Sequence, residues 1–313
     1  MKLCMKCRNK AAYYRPYSGE YLCKKHFIES IERKVARTIS KHKMLKETDK
    51  IGIGISGGKD STVLLYILQK IERRFPKSSL IAITIDEGIR GYREEGLKIT
   101  KLITSDFGIE HQIASFKELY GYTLDEIVRI FNQNFKNVHT ACFFCGVLRR
   151  RSLNQMARDL NVNKLAIGHN LDDEAQTVLM NIFRSDIIRL GRINLDSRQI
   201  HDLFIPRVKP FREIPEREIA AYAFFRNLPF HSQTCPYAEG VLRNDIQHIL
   251  NEMEQIRPGT KHSVLRSGDK IQQFLHLKQE IHPCPVCHEP ASAQICKFCK
   301  IILDLQNLSD KEI

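Results

Sequence analysis

The sequence has no apolar run long enough to cross a membrane. A membrane-spanning helix needs about 20 consecutive apolar residues, and no stretch of this chain approaches that length. The opening segment, MKLCMKCRNK, also contains no apolar run of the kind found in secretory signal peptides. We therefore expect a protein that works in the cytoplasm and has no membrane partner.

Acidic residues are scarce relative to basic ones. The chain has 49 Lys and Arg against 36 Asp and Glu, which gives a net charge of +13. This balance favours a polyanionic partner such as nucleic acid, although a lysine-rich genome would have the same effect on composition. The 313 residues, 42% of them hydrophobic, are enough for a buried core and about two domains.

Two sets of cysteines have the spacing of zinc ligands. In a reducing compartment, cysteines serve as metal ligands or catalytic thiols more often than as disulfides. One set reads C-x2-C-x15-C-x2-H and the other C-x2-C-x8-C-x2-C. Two close pairs of soft ligands suit tetrahedral zinc, with a rubredoxin-like iron as the alternative. The predicted ligands are Cys4, Cys7, Cys23 and His26 in the first set, and Cys284, Cys287, Cys296 and Cys299 in the second.

Three cysteines remain, and the sequence lacks a fourth that would complete a closed site. Cys142 and Cys145 form a C-x2-C pair, and Cys235 lies far along the chain in SQTCPYA. Three thiolates can hold a cubane iron–sulfur cluster in which one iron has no protein ligand. Alternatively, Cys142 and Cys145 form a thiol–disulfide pair, or Cys235 carries sulfur as a persulfide. The spacing alone does not choose between these chemistries.

The stretch KIGIGISGGKDSTVLL, residues 50–65, contains three overlapping nucleotide-binding signatures. The dinucleotide fingerprint G-x-G-x-x-G must follow a strand, whereas KIGIGIS alternates like the strand itself. A Walker loop needs glycine in place of Ile53 and Ser or Thr in place of Asp60. What remains is a strand, a Gly-Gly turn and a helix, an arrangement whose backbone N–H groups bind phosphate. The residues of this phosphate loop are Ser56, Gly57, Gly58, Lys59, Asp60 and Ser61.

The motif SGGKDS closely resembles the loop of the PP-loop ATP pyrophosphatases, which adenylate a carbonyl oxygen and release pyrophosphate. Downstream, GHNLDDEAQT (residues 168–177) resembles the second signature of the tRNA-thiolating branch. The segment CFFCGVLRRR, the isolated Cys235 and both cysteine-rich ends complete that pattern. Over nearly its whole length the chain is similar to the tRNA 2-thiouridine synthetases of the TtuA and wobble-uridine thiolase group. The tRNA cytidine thiolases (TtcA) are more distant relatives.

Strand-like and helix-like segments alternate from the phosphate loop onward. This order indicates an α/β fold with a doubly wound parallel sheet covered by helices on both faces, and the resemblance implies its PP-loop version. We expect an N-terminal zinc knuckle (1–30), a catalytic domain with the iron–sulfur site (31–245), a helical linker (246–280) and a C-terminal zinc knuckle (281–313). The nucleotide motifs fall at strand ends, where such sheets bind ligands.

The resemblance implies roles for the residues around ATP. Asp60, together with Asp172 or Asp173, positions ATP or its Mg2+ ion, since carboxylates are hard oxygen ligands. An acidic pair at a helix start is also favoured by the helix dipole alone. The residues expected to contact the nucleotide are Ser56, Gly57, Gly58, Lys59, Asp60, Ser61, Asp86, Gly88 and Gly168.

For the sulfur chemistry, the resemblance implies that Cys142, Cys145 and Cys235 carry a 4Fe–4S cluster whose free iron binds sulfide. Arg149 occupies the position at which the T-loop enzymes have a catalytic lysine. An arginine does not accept a proton there, but it stabilises negative charge on a phosphate or a base. We expect tRNA to bind along the arginines of LRRRSLNQMARDL and of residues 184–212, unless these form only a solvated surface.

Together these features predict an ATP-dependent tRNA uridine 2-sulfurtransferase. The enzyme adenylates the C2 oxygen of the uridine, and sulfur then displaces AMP. We expect the wobble uridine as the target because Arg149 replaces the lysine, with the T-loop uridine as the alternative. A PP-loop tRNA ligase or amidotransferase without sulfur transfer, and a non-catalytic zinc-dependent tRNA-binding protein, are the other classes. The sulfur donor is a ubiquitin-like thiocarboxylate carrier or sulfide, and the resemblance implies a homodimer.

Overall fold

A five-stranded sheet forms the centre of the computed structural model, which describes residues 2–134, 140–192, 201–238, 242–275 and 281–309. The strands are β1 (Tyr13–Arg15), β2 (Glu20–Leu22), β3 (Lys50–Gly54), β4 (Ser79–Asp86), β5 (Glu110–Ser115), β6 (Lys164–Ala166), β7 (Arg207–Val208), β8 (His282–Pro283) and β9 (Pro290–Ala291). The central sheet has the order β5-β4-β3-β6-β7, and each neighbouring pair is parallel. The predicted fold class is therefore confirmed.

Amphipathic helices cover this sheet. Helices α1–α6 are α1 (Lys24–Lys41), α2 (Lys59–Glu72), α3 (Arg93–Phe107), α4 (Phe116–Tyr120), α5 (Leu124–Asn134) and α6 (Ala141–Asp159). Helices α7–α12 are α7 (Leu171–Phe183), α8 (Ile187–Leu190), α9 (Glu216–Arg226), α10 (Leu242–Ile256), α11 (Thr260–Phe274) and α12 (Lys297–Ser309). No helix in the described part of the chain is both long and apolar enough to cross a membrane.

Alternate residues of β4 pack into different cores. Ile81 and Ile83 contact a cluster that includes residues of α6, whereas Ala82 packs with the cluster formed by α1 and α2. Successive strand residues point to opposite faces, so both faces of the sheet are buried, as parallel sheets require. This explains why the middle strands are apolar along nearly their whole length.

The direction of winding reverses next to β3. The chain runs outward from β3 to β4 and β5, then returns to the other side of β3 with β6 and β7. In open α/β sheets, ligands bind at the carboxyl ends of the strands beside such a reversal. Ser56 follows β3 and Gly168 follows β6, so the phosphate loop and the second signature flank this point.

The segment expected as a helical linker forms α10 and α11, which pack against α7. Ile246 and Leu250 of α10 are buried together with Ala175 of α7. In α11, Gly268 approaches α7 so closely that an added Cβ would lie 2.6 Å from Cγ2 of Val178. These two helices therefore share a core with the catalytic domain.

A buried ion pair attaches the N-terminal knuckle to α9. Arg15 of β1 donates from Nε to Oε1 of Glu218 at 2.8 Å and from Nη1 to Oε2 of Glu20 at 2.7 Å. The Tyr17 hydroxyl donates to the same Glu218 oxygen at 2.6 Å. Both Arg15 and Glu218 are fully enclosed by protein. Such a pair is stable only while both partners are present, because either charge alone is strongly unfavourable away from water.

The C-terminal knuckle is attached to α6 by charge and by apolar packing. Glu289, just before β9, contacts both Arg151 and Arg158 of α6. Ile301 and Leu305 of α12 join the cluster that surrounds α5 and α6. The knuckle is therefore held along the same helix that begins with the Cys142–Cys145 pair.

Replacing Glu218 by alanine should lower the free energy of unfolding by about 3 kcal/mol, because Arg15 would stay buried and keep only Glu20 as an anionic partner. Urea denaturation followed by circular dichroism measures the loss. Glu29→Ala on α1 is the matched control, since this side chain is 43% exposed, and we expect it to cost less than about 0.5 kcal/mol. Equal effects of the two substitutions would contradict a structural role for the buried pair.

Candidate active site and metal centres

Backbone and hydroxyl groups between β3 and α2 form a cradle. Oγ of Ser61 accepts from the N–H of Ser56 at 3.1 Å and donates to the carbonyl of Gly58 at 3.0 Å. Oγ of Ser56 accepts from the N–H of Gly58 at 3.4 Å. Helix α2 begins immediately afterwards, so its first N–H groups and the positive end of its dipole face this loop. These are the donors that a phosphate group requires.

Two close backbone approaches explain the glycines of the two signatures. Gly57 has a φ of +83°, and a Cβ there would lie 2.5 Å from the carbonyl oxygen of Gly96 in α3. Gly168, after β6, lies against the start of α2, where a Cβ would come within 3.1 Å of the Ser61 nitrogen. The second signature therefore packs directly on the phosphate loop.

Lys59 and Asp60 carry opposite charges at the start of α2. Nζ of Lys59 contacts Oδ2 of Asp60 at 3.0 Å and also reaches Glu216 of α9. Asn170 donates to the other oxygen of Asp60 at 3.3 Å. Burial raises the pKa of Asp60, Lys59 counteracts this, and the carboxylate of Asp173 raises it further. Two neighbouring carboxylates of this kind are suited to share a cation.

Asp172 and Asp173 have different partners. Asp173 caps α7, since its carboxylate accepts from the N–H of Asn170 at 3.1 Å and the Asn170 side chain accepts from the N–H of Asp173 at 3.1 Å. Asp172 is buried, contacts Lys261 of α11 and accepts from the N–H of Glu216 at 2.8 Å. The structure thus brings Asp173 close to the phosphate loop and engages Asp172 in attaching α11.

The turn after β4 contains two more of the predicted nucleotide residues. Oδ1 of Asp86 accepts from the N–H of Gly88 at 2.8 Å. Gly88 has a φ of +70°, and a Cβ there would lie 2.6 Å from Cγ2 of Thr123. Both residues lie at the carboxyl end of β4, the strand next to β3 in the sheet.

A cavity of about 270 Å3 opens beside the phosphate loop, and residues 230–233 together with Tyr92 form its other wall. The N–H of His231 donates to the carbonyl of Gly57 at 2.8 Å. The buried His231 ring lies with its centroid 5.0 Å from that of Tyr92. The sequence analysis did not identify His231 or Tyr92 as site residues. The signal that could have pointed to His231 was Cys235, which follows shortly after it in the sequence.

The segment that begins at His231 carries Cys235 to the Cys142–Cys145 pair. The Tyr237 hydroxyl donates to Oδ1 of Asp125 at 2.8 Å, and the Tyr237 carbonyl accepts from Sγ of Cys142 at 3.6 Å. The two paired cysteines lie in the first turns of α6. Cys235 lies close enough to Cys142, Cys145 and the cavity residue Tyr92 for its charge to raise the pKa of each.

The Cys145 thiol is held next to a guanidinium group. Nη2 of Arg149 donates to Sγ of Cys145 at 3.1 Å. Burial raises the pKa of Cys145 to about 11, with Arg149 counteracting and Glu87 adding to the rise. A free thiol of this kind is mostly protonated at neutral pH and is a poor nucleophile, whereas a metal would displace the proton. This environment makes Cys145 of the metal-free protein a poor nucleophile for thiol–disulfide exchange.

Glu87 links the phosphate loop to the cysteine site. Its buried carboxylate lies 2.7 Å from Nε of Arg149 and 2.8 Å from Nε of Arg93. Arg93 in turn donates to the carbonyl of Ser56 at 3.0 Å. A continuous series of hydrogen bonds and ion pairs therefore runs from Ser56 to Cys145. Sequence reasoning passed over Glu87, although an acidic residue between Asp86 and Gly88 was a usable signal.

Both cysteine-rich ends form tight ligand sets. In each predicted set, the four ligand atoms lie within 4.8 Å of one another. In the first, Sγ of Cys4 is 3.3 Å from Nδ1 of His26, and in the second Sγ of Cys287 is 3.6 Å from Sγ of Cys296. Burial opposes ionisation of Cys4, but backbone N–H donors lower its pKa to about 6. These donor sets fit a tetrahedral metal ion.

Comparison with protein families identifies two matching models. A model described as a PP-loop domain matches residues 28–254. A second, described as the N-terminal LIM domain of the 2-thiouridine synthetase TtuA, matches residues 3–28. Together the two matches span residues 3–254, which include the N-terminal knuckle and the domain that contains the phosphate loop.

Characterised relatives are similar over almost the whole chain. The tRNA 2-thiolation protein NcsA of Haloferax volcanii is 34% identical over 97% of this chain and 99% of its own length. The cytoplasmic tRNA 2-thiolation protein 1 of Oryza sativa is 38% identical over 97% of this chain and 82% of its own. The solved structure of the U34-tRNA thiolase NcsA of Methanococcus maripaludis, which contains its [4Fe-4S] cluster, superposes with a TM-score of 0.86, 35% identity and 97% coverage of both chains.

Replacing Glu87 by glutamine should lower the pKa of the Cys145 thiol in metal-free protein. Loss of the carboxylate removes the negative charge that disfavours the thiolate and frees Arg149 to stabilise it. Half-maximal alkylation of Cys145 should therefore move to lower pH, as measured by mass spectrometry of the peptide. Glu110→Gln, at an exposed position of β5, is the control and should leave the alkylation profile unchanged. An unchanged profile in both variants would show that Glu87 does not act on Cys145.

Proposed function

The chain belongs to the PP-loop family, within the group of the tRNA 2-thiolation proteins, and on this basis we propose that it uses ATP to replace the C2 oxygen of the wobble uridine of tRNA with sulfur. The observation that supports the proposal is the series of contacts from Ser56 of the phosphate loop through Arg93, Glu87 and Arg149 to Cys145. The Methanococcus relative with the same overall structure is a U34-tRNA thiolase. Relatives from rice and fruit flies are named cytoplasmic, which supports the same location here.

The phosphate loop is suited to ATP cleavage at the α-phosphate. Ser56 and Ser61, with the N–H groups at the start of α2, would hold the phosphates, while Lys59 would balance their charge. Asp60 and Asp173 would hold Mg2+, because the carboxylate of Asp173 is close enough to raise the pKa of Asp60. Adenylation turns the C2 oxygen into a good leaving group, and pyrophosphate departs from the loop.

The three central cysteines fit a 4Fe–4S cluster. Among the described residues they do not form a tight set like the knuckles, as expected where each sulfur binds a different iron. Phe143 and Phe144 lie in the same apolar cluster as Cys145 and Cys235, and such a shell limits solvent access. Bound there, the cluster would supply an iron without a protein ligand, at which sulfide can be held. Arg149 would stabilise negative charge at this place.

The proposed reaction is tested with anaerobically purified protein reconstituted with iron and sulfide. Unmodified tRNA, ATP–Mg2+ and either sulfide or a ubiquitin-like thiocarboxylate are supplied, and nucleosides are analysed by mass spectrometry. We expect ATP-dependent 2-thiouridine, and none with Cys235→Ser, because that variant lacks one of the three cluster ligands. Ser105→Ala, an exposed residue of α3, is the control and should retain activity.

Fragment mapping of the product distinguishes the remaining alternatives. Sulfur at U34 supports the proposal, whereas sulfur in the T-loop would reassign the target. AMP formation on tRNA without thiolation would mean a PP-loop ligase or amidotransferase. Light scattering would test the expected homodimer, for which exposed apolar residues such as Ile187, Ile188 and Ile256 offer a surface.

Each knuckle should bind one zinc ion. Elemental analysis of the protein should give about two zinc per chain, falling to about one in Cys299→Ser, because three remaining ligands hold zinc less tightly. Ser292→Ala, between the ligand pairs of the same knuckle, should keep both. An unchanged zinc content in Cys299→Ser would remove this residue from the ligand set. Iron in place of zinc would indicate the rubredoxin-like alternative.

A further inference from the structure

The sequence analysis predicts that four arginines of α6 contact tRNA. Three of these side chains contact carboxylates in the folded protein. Arg149 lies 2.7 Å from Glu87, and Arg151 and Arg158 share Glu289 of the C-terminal knuckle. A neutralised arginine contributes little to the potential that attracts a polyanion. Arg150, by contrast, has no carboxylate partner among the described residues. These pairings single out Arg150 as the available positive charge on this helix.

Arg207, the first residue of the edge strand β7, lies against Arg150. Its Nη2 donates to the Arg150 carbonyl at 3.1 Å, and within the described ranges it too has no carboxylate partner. Both residues line an open groove of about 850 Å3 between α6, β7 and the C-terminal knuckle. Lys43 and Lys297 add positive charge to other parts of its wall. The groove therefore contains two guanidinium groups without an ion-pair partner in the described chain, whereas its carboxylates, Asp269 and Glu289, pair with other arginines.

The proximity of these two charges is unfavourable in the free protein. Removal from water and the charge of Arg150 lower the pKa of Arg207 to about 10. Removal from water and the charge of Arg189 also lower the pKa of Arg150. An anion between the two groups would relieve this repulsion. Two guanidinium groups without a carboxylate partner in the described chain can donate hydrogen bonds to a ligand that carries negative charge.

The position of Arg150 relates this pair to the cysteine site. Its Nη1 lies against the backbone of Gly146, where an added Cβ would be 3.3 Å away. Gly146 directly follows Cys145, and the side chain of Arg150 therefore extends back along α6 toward the cysteines. A ligand held by Arg150 and Arg207 would lie about one helical turn from Cys145 along α6.

We propose that Arg150 and Arg207 together form a binding site for a backbone phosphate of the RNA substrate, which seats the target nucleotide beside Cys145. The site rests on the proposed function for the identity of the RNA. Guanidinium groups bind phosphate oxygens in two-point contacts, which fix orientation as well as add affinity. The two arginines line the large groove, whereas the phosphate loop lines the separate 270 Å3 cavity. The groove therefore favours a phosphate of RNA over one of ATP.

The test measures binding of unmodified tRNA to full-length protein by fluorescence anisotropy at several salt concentrations. Arg150→Gln and Arg207→Gln should each weaken binding about tenfold and reduce the slope of log Kd against log salt by roughly one. Arg207→Lys keeps the charge but loses the two-point contact, so it should have an intermediate effect. Arg74→Gln is the matched control, since Arg74 is exposed beyond the far end of α2 from the phosphate loop.

The outcomes separate this site from the proposed function. Unchanged tRNA affinity and salt slope in both glutamine variants would overturn the phosphate site, whatever the thiolation assay gives. Weaker ATP binding, with tRNA binding intact, would also overturn it and assign the pair to the nucleotide. Weaker tRNA binding with unchanged ATP affinity supports the phosphate site. This conclusion holds even if the wild-type protein fails to thiolate the tRNA and the proposed reaction is rejected. Circular dichroism checks that each variant is folded.

Discussion

The carboxylate of Glu87 is shared by two arginines, and the arrangement of the candidate active site depends on this contact. Because the carboxylate is buried, its charge has to be balanced where it lies. One arginine, Arg93, fixes it to the carbonyl of Ser56, and the other, Arg149, fixes it to the thiol of Cys145. The phosphate loop and the cysteine site therefore share one rigid frame. A reaction that activates an oxygen at one place and brings sulfur from another requires this fixed separation, since proximity lowers the barrier only when both groups are held.

The parallel sheet makes such an arrangement possible because the carboxyl ends of its strands lie along one edge. The loops after β3, β4 and β6 supply the phosphate loop, Glu87 and Gly168, although long helices separate them in sequence. Cys235 comes from outside the sheet, and its position depends on two contacts of its own segment. His231 bonds to the phosphate loop, and Tyr237 bonds to α5 and to Cys142. The segment that carries the third cysteine is thereby attached to both halves of the site.

What could be predicted from the sequence was the chemistry encoded by local spacing. The SGGKDS turn and the two knuckles each depend on residues close together in the chain, so the pattern itself specifies the structure. The roles of Asp172 and Asp173 could not be separated in this way. They are adjacent, and only the packing of α11, which brings Lys261 against Asp172, shows that one serves the helix interface and the other lies by Asp60. His231 could not be predicted for the same reason, because Gly57, which accepts its backbone hydrogen bond, is distant in the sequence.

The basic composition shows the same limit of prediction from sequence. A basic composition predicts a polyanion, but composition counts every arginine equally. In the folded protein, Arg151 and Arg158 form ion pairs with Glu289, and these pairs hold the C-terminal knuckle on α6. Arg150 and Arg207 have no carboxylate partner in the described chain. Arg150 lies on α6, the helix that carries Cys145 near its start, and Arg207 lies against Arg150. Ion pairing thus separates the arginines of one basic helix that hold neighbouring elements from Arg150, and the separation follows from the positions of two glutamates rather than from the arginines themselves.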